Sequence, residues 1–197
     1  MKELWNQRYK EVDYAYGKEP NAFFKNELDK LEKGKILLPG DGDGRNGIYA
    51  AKLGWEVTSI DYSEEAIKKS HSFSNKENVK IEYQNIDLSK EMFGENEYDT
   101  IAVIFVHLDE ESRKIFHKNI IKALKPGGKL ILQAYSEDQI KYNSGGPKDI
   151  SMLYSLEEIV TDFQEMDFIV LAKEKVVLNE GSLHKGEASI INFVATK

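Results

Sequence analysis

The sequence alternates short apolar strands with amphipathic helical segments, and this alternation constrains the fold more than any other feature. Strands separated by helices form a mostly parallel sheet covered by helices on both faces. The run 101–106 is apolar throughout, as expected for a strand buried on both faces. The predicted strands are 35–39, 55–60, 79–83, 98–106 and 129–135, followed by two strands at about 168–178 and 187–196.

Helix signals lie between the predicted strands. Ser63 and Asp109 are placed as N-caps, and Ser155 with Glu158 forms a capping box. The last two strands are too close in sequence for a crossover helix, so they are expected to pair as an antiparallel hairpin. The predicted fold is therefore α/β: a doubly wound, seven-stranded, mostly parallel sheet with five βα units and a C-terminal antiparallel hairpin, in one domain spanning 1–197.

Composition excludes several functional classes. The chain has 197 residues, a formal net charge of −7 and no cysteine, which rules out a disulfide framework and a thiolate metal site. The first ten residues lack the apolar core of a secretory signal, and no apolar run approaches the ~20 residues of a membrane-spanning helix. We expect a cytoplasmic protein. The acidic balance also argues against nucleic acid as its main partner.

The turn after the first predicted strand is rich in glycine. Gly40, Gly42, Gly44 and Gly47 lie within eight positions, where glycine permits a tight turn and close approach of a ligand to the backbone. Asp61 follows Gly40 by 21 positions, at the end of the second strand. A carboxylate there can accept hydrogen bonds from both hydroxyls of a ribose. Together these features predict a cofactor that contains a nucleoside.

Two cofactors are compatible with this turn. The spacing Gly42-x-Gly44-x-x-Gly47 also matches the dinucleotide fingerprint, which would imply an NAD(P)-dependent oxidoreductase. However, a pyrophosphate would lie beside Asp41 and Asp43, with only Arg45 to offset them. S-adenosylmethionine carries a sulfonium and an ammonium group instead, and both cations are favoured beside carboxylates. The charge of the turn therefore favours S-adenosylmethionine.

Several segments resemble a known family. ILLPGDGDGRNGIYAAKLGWEVTSIDYS resembles motif I and the acidic second-strand motif of class I S-adenosylmethionine-dependent methyltransferases, and LKPGGKLIL is similar to a later loop and strand of that fold. WNQRY and YAYGKEPNAFF near the start, and EGSLHKGEASIINFVATK at the end, resemble a bacterial subgroup related to tellurite-resistance and thiopurine methyltransferases.

The resemblance implies roles for individual residues. It assigns the methionine moiety to the turn glycines, the ribose to Asp61, one face of the adenine to Tyr62 and the adenine amino group to Asp87. Asp87 could equally cap a turn. The family usually carries an acidic residue two positions before the first glycine, where this chain has Leu38, so Asp41, Asp43 or the N-terminal segment is expected to replace it. The predicted cofactor residues are Gly40, Asp41, Gly42, Gly44, Asp61, Tyr62, Asp87, Ile104 and Phe105.

The first 24 residues contain six aromatic side chains, too many for a solvated tail. The functional interpretation is a helical lid, residues 1–33, that covers the cofactor cleft and excludes water. Ordinary helix packing explains Trp5 and Tyr9 equally well. Tyr16-Gly17, outside any helical pattern, is the better candidate for a lid contact.

Four histidines are too dispersed to suggest a metal site. His71 and His117 lie on predicted helices among charged residues and are expected to be solvated. His107 follows the fourth strand and His184 lies in the hairpin loop, where either could orient or deprotonate a substrate. The glycine-rich loop 141–149 is a further candidate for the acceptor side.

The sequence thus predicts methyl transfer from S-adenosylmethionine to a small-molecule acceptor, including soft sulfur, selenium or tellurium nucleophiles. Such nucleophiles need little help from a base, whereas an oxygen or nitrogen acceptor would need one, with His107 or Tyr16 as candidates. The alternatives are an NAD(P)-dependent oxidoreductase, a non-catalytic S-adenosylmethionine-binding protein and a nucleic-acid methyltransferase. The last would need a basic face or a recognition domain, and the sequence shows neither. The acceptor and the oligomeric state are not encoded in any local pattern.

Overall fold

A computed structural model of the chain describes residues 2–12, 14–90 and 92–197. Within them, one mixed sheet has the strand order β3-β2-β1-β4-β5-β7-β6, with β1 to β5 parallel and β7 antiparallel to both of its neighbours. The predicted α/β fold and its C-terminal antiparallel hairpin are therefore confirmed. The strands are β1 (Lys35–Pro39), β2 (Glu56–Asp61), β3 (Glu82–Asn85), β4 (Tyr98–Ile104), β5 (Leu124–Tyr135), β6 (Asp167–Glu180) and β7 (His184–Thr196).

Helices cover both faces of the sheet, and the predicted caps start three of them. Ser63 Oγ accepts the Ala66 N–H, Asp109 caps in the same way, and Ser155 forms its capping box with Glu158. The helices are α1 (Lys2–Glu11), α2 (Ala22–Leu28), α3 (Arg45–Leu53), α4 (Glu64–Lys76), α5 (Glu110–Ala123) and α6 (Leu156–Asp162). None of the described helices is both long and apolar enough to span a bilayer.

The core has one layer on each face of the sheet. Leu37 on β1 packs into the layer that includes Phe116 of α5, whereas its neighbours Ile36 and Leu38 face the layer that includes Phe24 of α2. This alternation follows from the two-residue period of a strand. The strand order reverses between β1 and β4. Ligands bind at the carboxyl ends of the strands at such points in open α/β sheets.

Some predicted boundaries were wrong. The third strand is Glu82–Asn85 rather than 79–83, because α4 continues past Ser70 to Lys76 and buries Phe73. The segment between β3 and β4 holds no helix in its described residues, so helices follow only four of the strands instead of the expected five.

His117 was wrongly expected to be solvated. It is 1% exposed, and its Nδ1 lies 2.7 Å from Asp162 Oδ2, so it joins α5 to α6. Its charged neighbours Lys114 and Lys118 are exposed, whereas Arg113, one turn earlier, is buried with it. His71 is exposed, as predicted.

Candidate cofactor site and acceptor chamber

The turn at residues 40–44, called the glycine turn below, joins the carboxyl end of β1 to α3. Gly40, Gly42 and Gly44 have φ angles of +68°, +63° and +88°, which glycine adopts without the steric cost of a side chain. A methyl group added at Gly42 would collide with the hydroxyl of Tyr9, which reaches over the turn from α1. The N-terminal helix thus covers the site that the sequence predicted.

Asp61, at the end of β2, is tied directly to the glycine turn. Its Oδ2 accepts the Gly42 N–H at 2.9 Å and its Oδ1 accepts the Ser63 N–H at 2.8 Å. The side chain is buried, and this burial raises the pKa of its carboxyl to about 6. Sequence spacing correctly brought this carboxylate beside the turn.

Asp41 stabilises the turn from inside. Its two carboxylate oxygens accept hydrogen bonds from Ser59 Oγ at 2.9 Å and from the Gly47 N–H at 3.3 Å. Burial raises the pKa of Asp41 to about 8. Through these two bonds Asp41 ties the turn to β2 and α3.

Asp43 differs from the other two carboxylates. It is 2% exposed, its Oδ2 has no hydrogen-bond partner among the described residues, and burial raises the pKa of its carboxyl to about 6. Arg45, the nearest cation in sequence, is committed elsewhere: its guanidinium contacts Glu180 Oε2 at 2.8 Å and donates to the Tyr16 carbonyl at 2.8 Å. The turn is therefore surrounded by three buried carboxyl groups whose ionisation is opposed by burial.

The two residues that the resemblance assigns to the adenine lie near the ends of β2 and β3. Tyr62 is partly exposed, with Lys2 Nζ 5.6 Å from its ring centre. Asp87 accepts hydrogen bonds from the N–H and the Oγ of Ser89 and pairs with Lys90 at 3.1 Å. Asp87 thus caps a turn in this structure, and its contact with adenine stays a prediction.

Phe105 follows β4 with a φ of +55°, a strained conformation for a bulky residue. The centre of its ring lies 4.6 Å from the ring centre of Tyr135 and 4.7 Å from that of His184. Ile104, the preceding residue, belongs to the core. The local sequence did not predict this strained backbone conformation, in which the Phe105 ring faces the hairpin.

His184 lies among three aromatic rings, which we call the acceptor chamber: Tyr16 at 4.4 Å, Phe105 at 4.7 Å and Tyr135 at 5.5 Å between ring centres. The imidazole is 6% exposed, and burial lowers its pKa. Its Nδ1 lies 3.7 Å from Glu180 Oε2, too far for a hydrogen bond, and has no other partner among the described residues. The hairpin thus holds a buried, neutral imidazole with one nitrogen that is not hydrogen-bonded.

His107, the other candidate base, joins two backbone segments. Its Nε2 accepts the Tyr135 N–H at 3.3 Å, which requires the proton on Nδ1, and Nδ1 donates to the Met152 carbonyl at 2.9 Å. Burial lowers its pKa to about 4. Neither nitrogen is left to accept a proton from a substrate in this arrangement.

Tyr16 belongs to a segment, residues 14–17, that docks on the hairpin tip, residues 180–184. The Leu183 N–H donates to the Ala15 carbonyl at 3.2 Å, and Arg8 donates to the Tyr16 hydroxyl at 3.2 Å. Burial raises the pKa of Tyr16, so its phenol is protonated at neutral pH. Tyr16 is better placed to wall the chamber than to act as a base.

The loop after β5 reaches the same chamber. A methyl group at Gly145 would lie 2.7 Å from Tyr135 Oη and 2.9 Å from His184 Cδ2. Gly145 and Gly146 therefore pack against Tyr135. A role of loop 141–149 on the acceptor side, rather than as a surface connection, stays a prediction.

Sequence reasoning missed a buried polar network beneath the chamber. Asn21 Nδ2 donates to Gln133 Oε1 at 2.7 Å and to Glu180 Oε1 at 3.0 Å, and Gln133 Nε2 donates to Asn192 Oδ1 at 2.7 Å. These residues come from α2, β5, β6 and β7. They carry no motif, and only the position of Glu180 beside the hairpin histidine could have drawn attention to one of them.

With this geometry established, comparison with known proteins defines the class. The strand order and the glycine turn are those of class I S-adenosylmethionine-dependent methyltransferases, and the crystal structure of TehB from Haemophilus influenzae superposes with a TM-score of 0.75 at 20% identity, covering 100% of this chain and 66% of that one. The sequence matches the family described as "Tellurite resistance protein TehB" over residues 12–193. The chain belongs to that family, and the predicted resemblance is confirmed.

Two sequence relatives place it further. It is 30% identical over 166 residues to a "Probable S-adenosyl-L-methionine-dependent methyltransferase TehB" of Haemophilus influenzae (strain 10810), covering 80% of this chain and 54% of the relative. It is 25% identical to a "Thiopurine S-methyltransferase" of Legionella pneumophila (strain Corby), covering 92% of this chain and 89% of the relative. The chain spans about half the length of the first relative and most of the second.

Proposed function

We propose that this protein binds S-adenosylmethionine and transfers its methyl group to a small-molecule acceptor. The observation that carries the proposal is the set of three buried carboxylates, Asp41, Asp43 and Asp61, around one glycine turn. Burial opposes their ionisation, so a cationic ligand stabilises this site and a pyrophosphate does not. The family and the names of its relatives support the same cofactor.

The residues present fit such a cofactor. The residues that the resemblance assigns to the methionine moiety, Gly40, Gly42 and Gly44, form a turn with positive φ angles and no side chains of its own at these positions. Asp61 uses one hydrogen bond at each carboxylate oxygen and keeps lone pairs for ribose hydroxyls. Tyr62 and Asp87 are assigned to the adenine. When bound, S-adenosylmethionine supplies a methyl group on a sulfonium leaving group.

The protein contributes alignment and exclusion of water. Holding an acceptor in line with the methyl group can lower the barrier by about 7–11 kcal/mol. The rings of Tyr16, Phe105 and Tyr135 around His184 offer polarisable surfaces, and a small, polarisable acceptor is proposed to bind beside them. Soft sulfur, selenium or tellurium nucleophiles need no base there, whereas an acceptor that must lose a proton would use His184, because the nitrogens of His107 are occupied.

Calorimetric titration of the purified chain tests the cofactor. We expect S-adenosylhomocysteine to bind at least tenfold more tightly than NAD or NADP. Tight dinucleotide binding without S-adenosylhomocysteine binding would instead make the protein an oxidoreductase.

An acceptor panel, scored by S-adenosylhomocysteine formed from S-adenosylmethionine, then tests the reaction. It should include thiols, selenium and tellurium oxyanions with a reductant, phenols, amines and an RNA. We expect turnover with a small acceptor. Turnover only with RNA would overturn the proposed acceptor class, and binding without any turnover would leave a non-catalytic binding protein.

A further inference from the structure

The departure at Leu38 raises the question of which residue holds the ammonium group of the cofactor. The position that is usually acidic in this class is occupied by Leu38, which is 1% exposed and packs in the apolar layer with Ile36 and Ile48. No charge can be offered from that position. If the cofactor binds as proposed above, its ammonium needs another anion near the glycine turn.

Two of the three local carboxylates are already committed. Asp41 accepts hydrogen bonds from Ser59 Oγ and from the Gly47 N–H, and it lies inside the turn. Asp61 receives one backbone N–H at each oxygen and is the natural partner of the ribose.

Asp43 is the remaining carboxylate, and one of its oxygens lacks a hydrogen bond in the described structure. It lies between Gly42 and Gly44, is 2% exposed, and its Oδ2 has no hydrogen-bond partner among the described residues. A buried acceptor without a partner is destabilising, and more so when it is charged. Asp43 also lies near enough to Tyr9 and Tyr16 of the N-terminal segment for its charge to raise the pKa of both phenols.

We propose that Asp43 replaces the missing acidic residue and accepts hydrogen bonds from the ammonium group of S-adenosylmethionine or S-adenosylhomocysteine. This inference rests on the proposed function. It selects one residue from the three candidates that the sequence left open, which were Asp41, Asp43 and the N-terminal segment.

The proposed contact predicts that ligand binding is linked to proton release. The charged and titratable groups around Asp43 come from every neighbouring element: Arg45 of α3, Lys69 of α4, Tyr9 of α1, Tyr16, Asp41 and Asp61. Burial holds the Asp43 pKa at about 6 despite the two cations. An ammonium partner lowers this pKa, so binding near pH 6 releases protons.

Calorimetry with two ligands isolates the contact. The ligands are S-adenosylhomocysteine and its analogue in which hydrogen replaces the amino group. We expect wild type to lose at least tenfold in affinity when the amino group is removed. Asp43→Asn should bind S-adenosylhomocysteine at least tenfold more weakly and discriminate little between the ligands. Asp99→Asn, a control that removes a carboxylate near the opposite end of β4, where Asp99 pairs with Lys125, should discriminate like wild type.

Proton release, measured at pH 6 in buffers of different ionisation enthalpy, provides a test on wild type alone. It should be larger with S-adenosylhomocysteine than with the deaminated analogue. Equal release and equal affinity for the two ligands would overturn the assignment even if Asp43→Asn did not fold. So would a folded Asp43→Asn that discriminates as wild type does. A wild-type chain that binds neither ligand would instead contradict the proposed function.

Discussion

Asp61 connects two parts of the site, because its carboxylate fixes the backbone of Gly42 while facing the predicted ribose. Asp61→Asn keeps the shape of the side chain and removes its charge and one acceptor oxygen. A hydrogen bond to a charged group contributes about 1.5–3 kcal/mol, so we expect at least a tenfold loss in S-adenosylhomocysteine affinity by calorimetry. Unchanged affinity in a folded variant would place the ribose elsewhere.

His184 and His107 should respond differently to substitution. With an acceptor that must lose a proton, His184→Gln should lower kcat by about 100-fold or more and leave S-adenosylhomocysteine affinity within a few-fold, since general-base catalysis contributes 10²–10⁴. His107→Gln should instead lower the melting temperature, because it breaks the link between the Met152 carbonyl and the Tyr135 N–H. Steady-state kinetics and thermal unfolding measure the two effects.

The pH profile provides a further check on His184. Because burial lowers its pKa, kcat should be constant from pH 7 upward and fall only in acid. A kcat that keeps rising through pH 8 would contradict a base of this kind.

At the level of elements, the hairpin tip and the segment 14–17 meet through Gly181. A methyl group there would lie 2.5 Å from both the Ala15 carbonyl oxygen and the Gly17 nitrogen. We infer that the two segments close over the acceptor chamber as one unit.

Gly181→Ala tests this unit. It should separate the two segments, speed hydrogen exchange at residues 14–17 and weaken S-adenosylhomocysteine binding. Gly127→Ala is a matched control, because Gly127 has a φ of +79° against +70° at Gly181 but no atom within 4 Å of the added methyl group. Both variants carry a backbone cost of about 1–2 kcal/mol. If backbone hydrogen exchange at residues 14–17 is equally fast in the two variants, the contact between Gly181 and this segment is ordinary packing and the two segments do not act as one unit.

At the scale of the whole molecule, buried acids make stability depend on pH. The folded-state pKa of Asp41, about 8, exceeds its unfolded value, so its contribution is present at low pH and is lost as pH rises through 8. Between pH 7 and 8.5 the ligand-free protein should lose about 1 kcal/mol of unfolding free energy. Urea unfolding at several pH values measures this loss.

Asp41→Asn should flatten that dependence, because asparagine mimics the protonated acid and can still serve Gly47 and Ser59. A variant with the same slope as wild type would show that another group titrates there. His107 and His184, whose pKa values are lowered, titrate below this pH window.

Local patterns in the sequence were sufficient for the order of strands and helices, for the caps at Ser63, Asp109 and Ser155, and for the position of Asp61 beside the glycine turn. Each of these depends on backbone geometry and on periodicities that extend over a few residues. The predicted end of α4 was wrong, because the helix continues beyond it and buries the side chain of Phe73 in the core.

The chemistry of individual side chains was decided by tertiary structure. Whether His107 binds backbone or substrate depends on Met152, 45 residues away, and the aromatic surroundings of His184 depend on Tyr16 at the other end of the chain. Burial, hydrogen-bond partners and pKa shifts arise only when such distant segments pack together. The sequence by itself therefore determined the fold class and the location of the glycine turn. Tertiary packing alone decided that, among the described residues, Asp43 Oδ2 and His184 Nδ1 are buried without a hydrogen-bond partner.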